Sequence, residues 1–167
     1  MSEKKSENKM FQIGVISDTH GLLRPEVLIE LKKVDYIIHA GDIGSREILQ
    51  MLHEIAPVLA VRGNTDNPCL YPELESFDIL EISDFKIYVL HNLDFLDLDP
   101  CCCDFQAVVY GHSHSPHSFY KNGVLYLNPG SAGPGRFNLP VCFAVLKIDN
   151  GKTSVRHIEI SNQKTRS

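Results

Sequence analysis

Three apolar, β-rich runs alternate with two helical stretches within the first 61 residues, and the short connections between them narrow the fold most. Met10 to Ser17 is the first run. Pro25 opens a stretch with Val27, Leu28 and Leu31 on one face. Val34 to His39 is nearly continuous in apolar residues, as a buried parallel strand requires. Ser45 stands as N-cap for a helix through His53, with Ile48, Leu49 and Leu52 inward. Pro57 to Val61 is the third run. Strand, helix, strand, helix, strand predicts a parallel sheet wound right-handedly.

The pattern changes after a polar loop from Gly63 to Glu75. Phe77 to Ile82 and Phe85 to Leu90 predict an antiparallel hairpin turning at Ser83-Asp84. Ala107 to Tyr110 is a further buried strand. Ser118 to Lys121 and Val124 to Leu127 flank Asn122-Gly123, a type I′ turn pair. Val141 to Ile148 and Thr153 to Ile160 flank Asp149-Asn150-Gly151-Lys152. Two packed sheets with helices outside accommodate both halves.

With 167 residues, 43% hydrophobic, the chain has the size of one ordinary domain, placed at 10–161. Residues 1–9 are polar and read as a disordered lead-in without the apolar core of a secretory signal; 162–167 read as a polar tail. No apolar run reaches transmembrane length. The 5 cysteines are odd in number and fit a reducing cytoplasm. Cys101-Cys102-Cys103 lacks metal or redox spacing and is expected as half-buried small hydrophobes.

The polar residues that follow the strands carry the functional signal. The first strand runs into Asp18-Thr19-His20, the second into Gly41-Asp42, the third into Gly63-Asn64. The strand ending at Leu90 meets His91, and the one ending at Tyr110 meets Gly111-His112-Ser113-His114. In open α/β sheets, ligands bind outside the carboxyl ends of strands. Asp18, His20, Asp42, Asn64, His91, His112 and His114 would then share one rim. Two carboxylates, one amide oxygen and four imidazoles, without thiolate, suit Mn, Fe, Zn or Ni. Seven donors are too many for one catalytic ion and suit two ions sharing a carboxylate. Two dications, two carboxylates and a bridging hydroxide sum to about +1, so the pocket attracts an anion despite the chain's net charge of -5. Phosphate esters are the expected substrates.

In order and spacing these blocks resemble the calcineurin-like metallophosphoesterases, nearest their small bacterial and archaeal phosphodiesterase branch. Asn128-Pro129-Gly130-Ser131 resembles a sequence that branch carries after its last block. The resemblance implies an α/β, four-layer α-β-β-α sandwich of two mixed sheets flanked by helices. It implies two divalent ions, manganese first among them, with Ni, Fe or Zn as substitutes. Asp18, His20 and His114 would hold one ion; Asn64, His91 and His112 the other; Asp42 would bridge. A metal-bridged hydroxide would attack phosphorus in line, and Asn64 would also donate to a phosphate oxygen.

Two positions depart from the family. Thr65 stands where many members carry a general-acid His, and Thr is a poor proton donor near neutral pH. Asp66 beside it is an expected aid to water or leaving group, against the plainer reading of a turn Asp. Asn92 replaces the usual Gly after His91, and 93–103 is acidic and unlike the family pattern. His39 reads as structural, His53 and His157 as surface residues, and His117 as pointing away from the rim. Arg62 and Arg136 are within reach of a phosphate or simply solvated.

A small phosphoester is the expected partner. The acidic balance, 16 Lys+Arg against 21 Asp+Glu, opposes long nucleic acid. No membrane is expected, and a homo-oligomer is left open. The competing reading is a non-catalytic scaffold, because the retromer coat uses a subunit of this same fold.

Overall fold

The three early apolar runs form β1 (Met10–Ile16), β2 (Tyr36–His39) and β3 (Val58–Ala60), connected by α1 (Pro25–Leu31) and α2 (Arg46–His53). This computed structural model describes residues 9–136 and 138–160. Apart from Lys9, the expected lead-in lies outside the described residues, as does the expected tail. Pro25 opens α1, where its fixed φ fits and its missing N–H forfeits no helical bond. Val27 and Leu31 are buried there, and Leu28 is half-buried. Ser45 occupies the N-cap of α2 in extended conformation, yet its hydroxyl makes no capping bond and donates to Glu47 Oε2 at 2.5 Å instead. Ile48, Leu49 and Leu52 are buried as expected.

The later runs form β4 (Phe77–Ile82), β5 (Phe85–Leu90), β6 (Ala107–Val109), β7 (His117–Lys121), β8 (Val124–Asn128), β9 (Val141–Asp149) and β10 (Lys152–Ile160). One sheet has the order β10-β9-β1-β2-β3 and the other β4-β5-β6-β8-β7. Both are mixed: β1 is parallel to β2 and antiparallel to β9, while β6 is parallel to β5 and β8. The hairpins β7–β8 and β9–β10 turn on Asn122-Gly123 and Asn150-Gly151, all four residues at positive φ, as type I′ turns demand. The second turn is tighter than its sequence suggested, because Asp149 and Lys152 already pair.

The sheets pack face to face on Ile13, Val15 and Ile38 from one and Ile87, Val109 and Leu127 from the other. Both helices cover the outer face of the first sheet, where Val27, Leu31, Ile48 and Leu52 meet Ile16, Ile37 and Phe143. The outer face of the second sheet, with Tyr88, Val108 and Tyr126, is covered by Leu93, Leu96, Leu98 and Phe105. That fourth layer contains a single short 3-10 turn (Leu93–Phe95) among the described residues. This α/β sandwich brings the carboxyl ends of β1, β2, β3, β5 and β6 to one rim.

Candidate metal centre

Five of the seven expected donors have left-handed backbone: Asp18 (φ 56°), His20 (φ 46°), Asp42 (φ 55°), His112 (φ 71°) and His114 (φ 58°). Such φ values are uncommon outside glycine, although Asp and His tolerate them better than most residues. The surrounding loops hold them in place. Asp18 N donates to Gly41 O (3.0 Å), His20 N to Asp42 O (2.9 Å) and Gly111 N to His91 O (2.9 Å). The structure thus over-determines a backbone that it would otherwise not keep.

The glycines before the donors act by absence. A Cβ on Gly111 would clash with Ser17 Oγ and press on Asp18 Oδ2. A Cβ on Gly63 would clash with the Asp42 carboxylate. Gly-Asn and Gly-His are therefore close-approach sites for carboxylates from other strands.

Asp18 is fully buried. Its Oδ2 accepts from Ser17 Oγ (2.6 Å) and His112 N (3.2 Å). Its Oδ1 has no hydrogen-bond partner among the described residues, and His114 Nδ1 is likewise unpartnered. Asp18 Oδ1 lies 3.3 Å from His114 Nε2 and 3.9 Å from His20 Nε2. Buried carboxylate oxygens are rarely left bare in folded proteins. A cation held by these three groups resolves the deficit.

Asp42 touches both halves of the rim, with Oδ2 3.7 Å from His20 Nε2 and 3.4 Å from His91 Nε2. Its Oδ1 accepts from Thr65 N (2.9 Å). Asn64 Oδ1 is 3.0 Å from His91 Nε2 and 3.1 Å from His112 Nδ1. His91 Nδ1 meets Ala40 O at 2.7 Å and must donate to it, so the neutral ring aims an Nε2 lone pair at two oxygen acceptors. Burial alone would lower the His91 pKa, but Asp42 and the Ala40 carbonyl raise it. Burial likewise pushes Asp42 up, but His91 and the Thr65 N–H outweigh it and hold the carboxyl below its usual range. His20 is lowered, chiefly by burial.

The His and Asp donors form two groups within 4.8 Å: Asp18, His20 and His114, and Asp18, Asp42 and His91. Asp18 is common to both, whereas the expected bridge was Asp42.

Asp66 is placed differently from the expectation. Its Oδ1 accepts from Ile43 N (2.9 Å) and Gly44 N (3.2 Å), and its Oδ2 from Gly63 N (2.9 Å). Buried and bonded to three backbone amides, it braces the loop after β2 against the loop after β3. Its carboxylate is not free for substrate, and its local bond to Gly63 N is only one of three. His39 is buried between Thr19 Oγ1 (2.8 Å) and Gly41 N (3.2 Å). The Thr19 hydroxyl donates to Ile43 O, so His39 Nε2 is the donor and Nδ1 the acceptor. Burial lowers the His39 pKa to about 4, consistent with that neutral ring.

Asn128 was visible only as part of a familiar sequence. Its Nδ2 donates to Gly111 O (2.9 Å) and Ser113 Oγ (3.0 Å), clamping the loop that carries His112 and His114. Ser131 Oγ donates to Asp18 O (3.0 Å). Ser17, Thr19 and Ser131 had no signal of their own, because their role depends on loops distant in sequence.

His117 is exposed beside Phe119 at the start of β7, paired with Asn128, and His53 is exposed at the end of α2. His157 corrects the surface expectation: it is half-buried, with Nε2 donating to Asn128 O at 2.9 Å. Cys101, Cys102 and Cys103 are exposed rather than half-buried, in a turn following buried Pro100. Arg136 is exposed, and its charge contributes to the lowered His20 pKa. Arg62 donates to Leu74 O (2.9 Å) and lines a cavity of about 370 Å³ beside Asn64 and His91.

Residues 11–151 match the calcineurin-like phosphoesterase superfamily domain. The chain belongs to that superfamily. A probable metallophosphoesterase of Methanocaldococcus jannaschii is 40% identical over 132 residues, covering 71% of this chain and 67% of the relative. A phosphodiesterase of the same organism is 29% identical, over 71% of this chain and 82% of its own. Among solved structures, Vacuolar Protein Sorting 29 of Cryptosporidium parvum superposes with a TM-score of 0.71 at 27% identity, covering 92% and 99% of the two chains. Membership and the two donor clusters together make this protein a metal-dependent phosphoesterase with a dinuclear centre. No helix among the described residues is long and apolar enough to cross a membrane.

Proposed function

We propose that the protein is a cytoplasmic phosphodiesterase for a small substrate, working with manganese. The observation that carries this reading is the bare, buried Asp18 Oδ1 facing two imidazole nitrogens, next to a second cluster around Asp42. Asp18, His20 and His114 are assigned to one ion and Asn64, His91 and His112 to the other, with Asp42 between them. Divalent ions held there would lower the pKa of bound water and polarise the phosphoryl oxygens.

The chain's own residues do the rest. Asn64 points its Oδ1 at the two histidine rings, which frees Nδ2 to donate to a phosphate oxygen. His91 is fixed in one orientation by the Ala40 carbonyl. Thr65 uses its backbone N–H on Asp42, and its side chain offers no acid for a leaving group. Asp66 does not supply one either, with both oxygens committed to backbone amides. Esters with stable leaving groups therefore react, and alkyl monoesters react poorly. Asp66 acts as a positioning residue.

The likeness to the Cryptosporidium sorting protein supports the second reading, a scaffold of the same fold. Turnover of bis(p-nitrophenyl) phosphate by purified protein with added Mn, and its loss in His114→Ala, supports the enzyme. Absence of turnover with Mn, Ni, Fe and Zn alike, together with no bound metal by elemental analysis, supports the scaffold.

A further inference from the structure

The cavity of about 370 Å³ next to the metal centre shares Gly63, Asn64 and His91 with it. Its volume lies in the range of small-ligand pockets. Its far wall is aromatic. Phe77 is 49% exposed and stacks on Tyr88 with centroids 5.3 Å apart and planes 13° apart. Phe95 is 78% exposed on the same cavity. Two exposed phenyl rings thus line one groove beside the metal centre, and apolar surface gathered in a groove marks a ligand site.

Asn92 explains how Phe95 gets there. Its Oδ1 accepts from Asp94 N (3.0 Å) and caps the 3-10 turn over Leu93–Phe95. A glycine after His91 would lack that cap. The acidic segment that departs from the family pattern thus begins by building one wall of this cavity. Ser76, Asn92 and Asp97 add hydrogen-bonding groups to its lining, and Arg62 adds a cation.

We infer that this cavity is a subsite for the planar aromatic arm of the phosphoester, a nucleobase rather than a plain aryl ring, held by Phe77 and Phe95 while the phosphate sits at the metal centre. The inference rests on the phosphoesterase reading for where the phosphate binds. Stacking supplies affinity because every base has a π-face. The polar lining separates a heteroaromatic ring, with edge donors and acceptors, from a bare phenyl.

The test is NMR titration of the zinc-loaded protein with thymidine 5′-monophosphate, phenyl phosphate and methyl phosphate. It needs no turnover, so it stands or falls apart from the catalytic reading. Thymidine 5′-monophosphate is expected to bind roughly tenfold tighter than methyl phosphate, with phenyl phosphate between them. Phe95→Ala and Phe77→Ala should each remove most of that preference, and Phe95→Tyr should keep it. Contacts from the Phe95 ring to the thymine protons should appear in nuclear Overhauser spectra. Equal affinity for thymidine and methyl phosphates, or a preference untouched by Phe95→Ala, overturns the subsite. Equal affinity for thymidine and phenyl phosphates overturns the nucleobase assignment.

Discussion

Asp42 Oδ2 lies 3.4 Å from His91 Nε2, the ring nitrogen opposite the one bonded to the Ala40 carbonyl. The loop after β2 thereby sets the tautomer of a histidine from the other sheet. That carbonyl belongs to the chain two residues before Asp42 itself, so one loop supplies both a donor and the device that orients its neighbour.

Removing Asp42 should break the centre at the point where its halves meet. Asp42→Ala is expected to lower kcat at least about a hundredfold, since even partners outside the donor set cost 10–100-fold when lost. Elemental analysis of the variant should find bound metal well below that of the parent. A variant retaining both full metal content and turnover would contradict the placement of Asp42.

Asp66→Asn separates bracing from chemistry. The amide must turn an N–H₂ toward one of the backbone donors that now share the carboxylate. A destabilisation of roughly 2 kcal/mol is expected from urea unfolding. Turnover should fall only modestly, with an unchanged pH profile. Complete loss of turnover at full stability would instead make Asp66 a participant in the reaction.

Gly111→Ala should damage the site through crowding. The new methyl meets Ser17 Oγ and Asp18 Oδ2, which have no free space in the buried rim. Loss of about 2 kcal/mol of stability and most activity is expected. Combining it with Ser17→Ala removes the first obstacle and should return part of the stability, measured by thermal melts of metal-free protein.

His39 makes metal-free stability depend on pH. Its folded pKa is depressed to about 4 from 6.5. Between those values the unfolded chain binds the extra proton and the native state does not, so stability rises with pH in that window. The contribution is fully present above about 6.5 and is lost as pH falls toward about 4, up to ~3 kcal/mol in all. His39→Gln keeps a donor for Thr19 and cannot titrate. Urea unfolding of both proteins in EDTA at pH 7.5 and 5.0 should show a steeper fall for the parent. Parallel losses would refute the assignment to His39.

Much of the strand order along the chain could be read in advance. Apolar runs of β-branched residues and the Asn-Gly pairs act locally, through pleat burial and positive-φ turns; they placed both hairpins and the type I′ turn at Asn122-Gly123, while the turn at Asn150-Gly151 is tighter than expected. The rim was legible for a related reason: donors sit immediately after strands, and parallel strands end on the same side. Ser45 is the N-cap residue as expected, but Glu47 takes its hydroxyl from the helix amides. The irregular make-up of the layer over the second sheet was not legible, because little in its periodicity shows that such a segment can cover a sheet.

By itself the sequence determined which residue types could hold metal and which strands would deliver them, because hydrophobic period and turn chemistry are properties of neighbouring residues. Only the tertiary structure decided that Asp18 has one bare oxygen, that Asp66 serves three backbone amides, and that Phe77 and Phe95 line one cavity. Each of these depends on groups tens of residues apart, and burial and hydrogen-bond saturation exist only after the two sheets have closed on each other.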